Sequence, residues 1–240
     1  DADDDNIDDA CDPCPIGPQH DEDGDGVFDA CDTCKVSMAT GQSDNDGDGV
    51  GDGCETDNGI DYERMDPFVV LDPAWFAEGA SWSVTNDTVR LVSLAAAYRW
   101  LSPLRGISTI SARVRFAPQP ILQGNPGVGL VAFDSASSAA NRQIVCRVDE
   151  NGRVITTLTV GGINAGFEFS TGTVNPSSYF TLTMVLSDSK KTLVCSASDG
   201  NSKPSAQIDY DQPGVLWFPG LRVEAADASF EYFDQIGGLP

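Results

Sequence analysis

Carboxylates recur at alternate positions in three stretches of the first 55 residues, all in one register, D-x-D-x-D-[GN]-x-x-D-x-C-[DE]. Positions 1, 3, 5, 9 and 12 are Asp1, Asp3, Asp5, Asp9 and Asp12 in the first copy, and Asp21, Asp23, Asp25, Asp29 and Asp32 in the second. In the third they are Asp44, Asp46, Asp48, Asp52 and Glu55. A hard divalent ion such as Ca²⁺ takes about six to eight oxygen ligands, so a tight loop with oxygens on alternate side chains can surround it. The sixth position is Asn6, Gly26 or Gly49, residue types that tolerate left-handed backbone where the loop must turn. The seventh is Ile7, Val27 or Val50, whose main-chain carbonyl is left to ligate while the side chain packs.

Charge points the same way. Nineteen of the 37 acidic residues lie within residues 1–60 against a single base, Lys35, so this quarter of the chain holds 18 of the 23 net negative charges. Two carboxylates about 5 Å apart repel by roughly 0.8 kcal/mol even in water, and few apolar residues offset that repulsion. Without cations the segment is expected to be disordered. Extracellular calcium sites bind at about 10⁻⁴ to 10⁻³ M, so each adds on the order of 1 kcal/mol in millimolar calcium. Several sites together decide whether the segment is ordered.

Seven cysteines bear on compartment: Cys11, Cys14, Cys31, Cys34 and Cys54 in the acidic segment, then Cys146 and Cys195. Cys11-x-x-Cys14 followed by Cys31-x-x-Cys34 has zinc-ribbon spacing. The hard-oxygen surroundings, Pro13 and Pro15, and a fifth cysteine that repeats the slot of Cys11 and Cys31 favour a disulfide ladder instead, Cys14 to Cys31 and Cys34 to Cys54. Cys11 is then left over. Either the protein continues upstream, or Cys11 bonds another molecule. Cys146 and Cys195 fall on apolar strand faces, as a disulfide or as two buried thiols.

Residues 1–55 resemble thrombospondin type 3 repeats. Residues 21–32 and 44–55 follow that family's D-x-D-G-D-G-x-x-D-x-C pattern, and the first copy departs from it at Asp4 and Asn6. The resemblance implies a secreted or surface-exposed chain that wraps around a row of Ca²⁺ ions, at least three and more if Asp4, Asp8 and Glu22 bridge neighbouring ones, in a family whose repeats often precede a lectin-like sandwich. The third copy also satisfies the EF-hand loop expression. EF-hand and dockerin loops need flanking amphipathic helices, however, and the connectors 13–19 and 35–43 lack a helical period.

The rest of the chain reads as β. Ile110, Ala112, Val114 and Phe116 alternate with Ser111, Arg113 and Arg115, and Phe180, Leu182, Met184 and Leu186 repeat the pattern. Further strands are expected over 82–85, 88–93, 128–133, 143–149, 153–160, 192–197, 221–225 and 229–233, with a tight hairpin at 149–152. Only 94–101 shows any hint of a helix. The predicted fold is mainly β: an irregular calcium-wrapped segment over residues 1–60, a linker over 61–67, and a two-sheet antiparallel jelly-roll sandwich over 68–240. The order of elements is similar to concanavalin A-like and laminin-G-type lectin sandwiches, carried by Pro219-Gly220-Leu221-Arg222-Val223 and by the aromatic strand Ser229-Phe230-Glu231-Tyr232-Phe233. That resemblance implies carbohydrate binding.

Enzymatic activity is not expected. Retaining glucanases on this kind of sandwich carry an E-x-D-x-(x)-E triplet, which this sequence lacks; Glu168 stands alone, and Asp149 and Glu150 share a turn. His20, the single histidine, lies in the acidic segment, away from any nucleophile of the sandwich. Trp75, Trp82, Trp100 and Trp217 could stack on sugars but suit a core better. A net charge of −23 repels nucleic acid and anionic membranes, and no apolar run is long enough to span a bilayer. The opening at Asp1 without a signal peptide suggests a processed form, and Asn86-Asp87-Thr88 is a glycosylation sequon. The expected function is that of a secreted structural subunit that assembles head to tail into a fibre or matrix element, its acidic segment docked on a neighbour's sandwich; the alternative is a cell-surface adhesin that binds glycan on a calcium-stiffened stalk.

Overall fold

The computed structural model describes residues 14, 20–38, 41–55, 61–68, 73–79, 82–85, 88–93, 97–101, 107–118, 125–134, 142–187, 191–210 and 217–238. The first calcium-loop copy at 1–12, Cys11 and Asn86 lie outside them. The described residues contain no helix and form two antiparallel sheets. The first runs β13 (Ser205–Asp209), β12 (Thr192–Ser198), β11 (Phe180–Ser187), β6 (Ile107–Pro118), β15 (Ala226–Gly238), β4 (Val89–Ser93), β3 (Ser83–Val84), and β1 (Asp61–Asp66) pairs with β15 beyond the end of β4. The second runs β10 (Ile163–Thr173), β9 (Arg153–Val160), β8 (Arg142–Asp149), β7 (Gly127–Phe133), β14 (Phe218–Glu224), β5 (Ala97–Leu101), β2 (Trp75–Glu78).

Alternation builds the core. Ile110, Ala112, Val114 and Phe116 of β6 and Phe180, Leu182, Met184 and Leu186 of β11 meet Val128, Leu130, Ile144, Val148, Leu221 and Val223 of the opposite sheet. Burial of one such large side chain contributes about 1.5–3 kcal/mol. Trp75, Trp82 and Trp217 belong to this core. Cys146 of β8 and Cys195 of β12, both fully buried, are joined by a disulfide that ties one sheet to the other. At the β8–β9 hairpin the Gly152 amide donates to the Asp149 carbonyl, and a Cβ on Gly152 would lie 1.9 Å from the Val174 carbonyl oxygen.

Five stretches differ from expectation. The linker of 61–67 is for the most part strand β1, whose six residues pair in register with residues 233–238. The stretch near 94–101 contains β5, a strand between β14 and β2. Strands β2, β10 and β13 add to those expected; Gly166, Glu168 and Gly172 interrupt the apolar pattern of β10.

A bulge in β15 decides which of its side chains reach the outer face of the first sheet. Phe230 pairs with Val114 and Tyr232 with Arg113, which leaves Glu231 as the extra residue. One extra residue exchanges the faces of a strand. Ala228 and Phe230 point into the core before the bulge and Phe233 after it, so Asp227, Ser229 and Glu231 lie on the outer face on one side, and Tyr232, Asp234 and Ile236 on the other.

Candidate metal loops and the groove beside them

The second and third carboxylate copies fold alike. The Asp21 carboxylate accepts from the amides of Gly24 (2.7 Å) and Gly26 (3.1 Å), and Asp44 from Gly47 (2.7 Å) and Gly49 (2.9 Å). Asp25 accepts from the Val27 amide and Asp48 from the Val50 amide, each at 2.8 Å. Asp29 receives the Glu22 amide and Asp52 the Asn45 amide, each at 3.0 Å. The amides of Asp29 and Asp52 in turn donate to the carbonyls of His20 and Ser43, each at 2.8 Å. Gly24 and Gly47 have φ of 76° and 78°, and Gly26 and Gly49 both 94°. Two separate stretches thus reach one geometry, and that geometry gathers oxygens. One carboxylate oxygen from each of Asp21, Asp23 and Asp25 lies within 4.8 Å of the others, and Asp44, Asp46 and Asp48 make the same triad. Such triads of hard oxygens fit Ca²⁺.

The remaining expected ligands have other contacts. Asp29 and Asp52 support the loop backbone, and Asp32 accepts from the Cys34 amide and from Gln42 Nε2, both at 2.8 Å, with its Oδ2 buried and free of hydrogen bonds. Asp29 also takes His20 Nδ1 at 3.2 Å. Glu55 borders the cavity between the segment and the sandwich, Val50 is buried, and Val27 is half-buried. Cys14 is bonded to Cys31 and Cys34 to Cys54. With these thiols used, the zinc-ribbon alternative has lost its ligands.

Crowding sets the electrostatics. Burial first, then Asp25, Asp32 and Asp21, push the Asp23 carboxyl up to about 6, against the pull of the Asp25 amide. Burial also raises Asp46, helped by Asp48, whereas the amides of Gly49 and Gly47 hold Asp44 down. Burial and mutual repulsion make the loop a poor home for charge, and a divalent cation would offset that repulsion.

The acidic segment lies against the outer face of the first sheet. Lys35 pairs with Glu63 of β1, whose side chain is 4% exposed. Behind them Asp234 is fully buried, with both carboxylate oxygens free of hydrogen bonds. Burial raises Asp234 far above the ordinary carboxylate range, and Glu63 too despite Lys35. A cavity of about 560 Å³ separates Val36, Met38 and Cys54 of the segment from Ser111, Thr183 and Ser196 of the sheet. On the other side of the bulge, among the described residues, a polar groove of about 720 Å³ opens on the outer face beside Arg90, Arg115, Tyr179 and Asp227. Its strands are legible in the sequence; the convergence of these side chains is not, because it depends on the bulge.

No family model matches the chain, and no curated protein sequence matches it. Solved structures do. A carbohydrate-binding module, CBM66 from Bacillus subtilis, is similar with a TM-score of 0.51 at 16% identity, over 66% of this chain and 92% of its own. The winged bean acidic lectin, solved with methyl-α-D-galactose, is similar with a TM-score of 0.58 at 9% identity, over 75% and 99%. The exoplasmic/lumenal domain of VIP36, solved with Ca²⁺ and Man3GlcNAc, is similar with a TM-score of 0.53 at 12% identity, over 74% and 88%. At such identities the likeness is one of fold. The chain contains a lectin-like, two-sheet antiparallel β-sandwich.

Proposed function

We propose that the chain is a secreted or cell-surface adhesin module in which thrombospondin type 3-like repeats over residues 1–60 hold a row of calcium ions and a lectin-like sandwich over the remainder binds glycan without turning it over. The observation that carries this reading is a segment with two matching oxygen triads that rests, through Lys35 and Glu63, on the outer face of a lectin-like sandwich. Three disulfides support an oxidising compartment. In millimolar calcium, a glycan array should show a saturable ligand, and elemental analysis should show at least two calcium ions per chain for the described loops and a third for residues 1–12. A silent array removes the glycan reading, and metal-free protein removes the calcium reading.

Head-to-tail assembly, the other function expected from the sequence, needs the acidic segment on a neighbouring sandwich. The described part of the segment rests on its own, through Lys35 and Glu63, so assembly keeps only Cys11 in its favour. Electron microscopy of the calcium-loaded protein that finds single particles alone would end it.

A further inference from the structure

Three arginines gather on the outer face of the first sheet, and two of them are neutralised. Arg90 donates to Asp227 through Nε and a terminal nitrogen, at 2.9 and 2.7 Å. Arg113 Nε lies 2.6 Å from Glu231. Arg115 is exposed, sits 4.8 Å over the Tyr179 ring, and has no carboxylate partner among the described residues. Tyr179 is fixed beneath it, because Arg113 approaches the same ring at 5.7 Å and the hydroxyl bonds to Glu231. Register sets the row: Ser229 pairs with Arg115 on one side and with Arg90 on the other, so guanidinium, hydroxyl and guanidinium cross three strands in line.

The groove over this row, about 720 Å³, is within the range of roughly 300–1,000 Å³ usual for small-ligand sites. At Thr88 and Glu231 it meets a second groove of about 440 Å³, whose other wall is Asp21, Glu22 and Asp23 of the metal loop. The two form one trough, from the loop to Arg115. Its lining is largely hydroxyls, carboxylates and guanidinium groups, so an occupant has to be polar over most of its surface. An uncommitted guanidinium held flat presents a fork that matches two oxygens of one anionic group.

We infer that this trough is the saccharide site and that its ligand is an acidic oligosaccharide, with a carboxylate or sulfate on Arg115 and ring hydroxyls on Ser229, Asp227 and Glu231. The inference rests on the glycan-binding reading and assigns that reading a place and a ligand class. The neutralised Arg90 and Arg113 orient their carboxylates as acceptors for sugar hydroxyls. Of the three arginines in the trough, Arg115 is the one without a carboxylate partner among the described residues.

The test is calorimetric titration, in millimolar calcium, with trigalacturonate, a sulfated disaccharide and maltotriose. Binding of either acidic probe, silence from maltotriose, and a loss of about tenfold or more in Arg115→Ala are expected from removal of a charge-assisted hydrogen-bonded pair. Arg115→Lys should recover part of that loss, and Ser229→Tyr should block the trough. The melting temperature of each variant checks its fold. Equal binding of maltotriose, or acidic binding that ignores both Arg115→Ala and Ser229→Tyr, overturns the inference while leaving a glycan-binding protein. Silence of the wild-type chain toward every glycan removes the function itself.

Discussion

Apart from the half-cystines Cys14 and Cys34, Val50 is the one buried apolar side chain among the described residues of the acidic segment, whereas the sandwich packs dozens between its sheets. The sandwich can stand on hydrophobic burial. The segment has nothing comparable and leans on two disulfides and its seat on the sandwich, to which the proposed function adds cations in its oxygen triads. Cross-links separated by 17 and 20 residues each contribute about 3 kcal/mol in a chain-entropy account. That limits the unfolded state without quenching the repulsion among carboxylates. The contrast teaches that burial alone can hold one part of the chain and not the other, and it predicts that the order of the acidic segment depends on the medium while that of the sandwich does not.

Chelation tests this most severely. With calcium removed by excess EGTA, amide hydrogen exchange over 20–55 should rise to near unfolded rates, while β6, β7, β8 and β11 keep their protection. If both regions lose protection together, the segment is part of the core's cooperative unit and the contrast fails.

The seat itself rests on one ammonium. Lys35 is the sole base of residues 1–60, and it faces Glu63 and the fully buried Asp234, with Asp32 and Asp29 near enough to act on Glu63. Lys35→Met leaves those carboxyls without a countercharge. It should weaken docking by on the order of 2 kcal/mol, below the range for a wholly buried pair because Lys35 is partly exposed. The readout is proteolysis between the segment and β1, with calcium stoichiometry unchanged. Resistance equal to wild type would assign the docking to the contacts of Val36, Met38 and Cys54.

Acidity should act in opposite directions on the two states of the segment. The folded, metal-free loop raises the Asp23 carboxyl from 3.8 to about 6, so between those values the folded form binds the proton more readily than the unfolded chain. The metal-free segment is therefore stabilised as pH falls from above 6 toward 4, and loses that increment as pH rises through 6. Calcium needs the deprotonated form. Its affinity at pH 5 should be roughly tenfold below that at pH 7.5, one proton being displaced per site with a carboxyl near 6. Titrations at the two pH values check this, and a pH-independent affinity would mean that Asp23 is not a ligand.

Much of this was legible in residue types and spacing. The β6 and β11 alternation, the hairpin at 149–152 and the cysteine ladder follow from period, turn chemistry and slot repetition, and they correspond to β6, β11, the β8–β9 turn and the disulfides of the structure. Strand β1 was hidden because Asp61, Glu63 and Asp66 look like loop residues until β15 pairs with them and the acidic segment covers Glu63. The groove was hidden for a different reason. Arg90, Arg115, Tyr179 and Asp227 are far apart in the chain, and the extra residue at Glu231 that sorts β15 between groove and docking face leaves no mark in an alternation that also includes Ser229 and Phe230. The left-handed glycine at the fourth loop position, Gly24 or Gly47, was overshadowed by the more obvious sixth.

That fourth position gives the finest probe of the segment. Gly47 has φ 78°, and a Cβ there would meet no atom within 4 Å, so substitution costs backbone strain and nothing else. Gly47→Ala should cost about 1 kcal/mol, read as a loss of about fivefold in calcium affinity at one site. Gly47→Asn should cost only part of that, since Asn enters the left-handed region more readily than Ala. The first copy bears on this point by sequence alone: it carries Asp4 at the fourth position and Asn6 at the sixth, both of the short polar type that tolerates such backbone. Equal losses for Ala and Asn at position 47 would show that the loop requires glycine there for a reason other than φ. The inclusion of residues 1–12 among the calcium sites would then lose its physical basis.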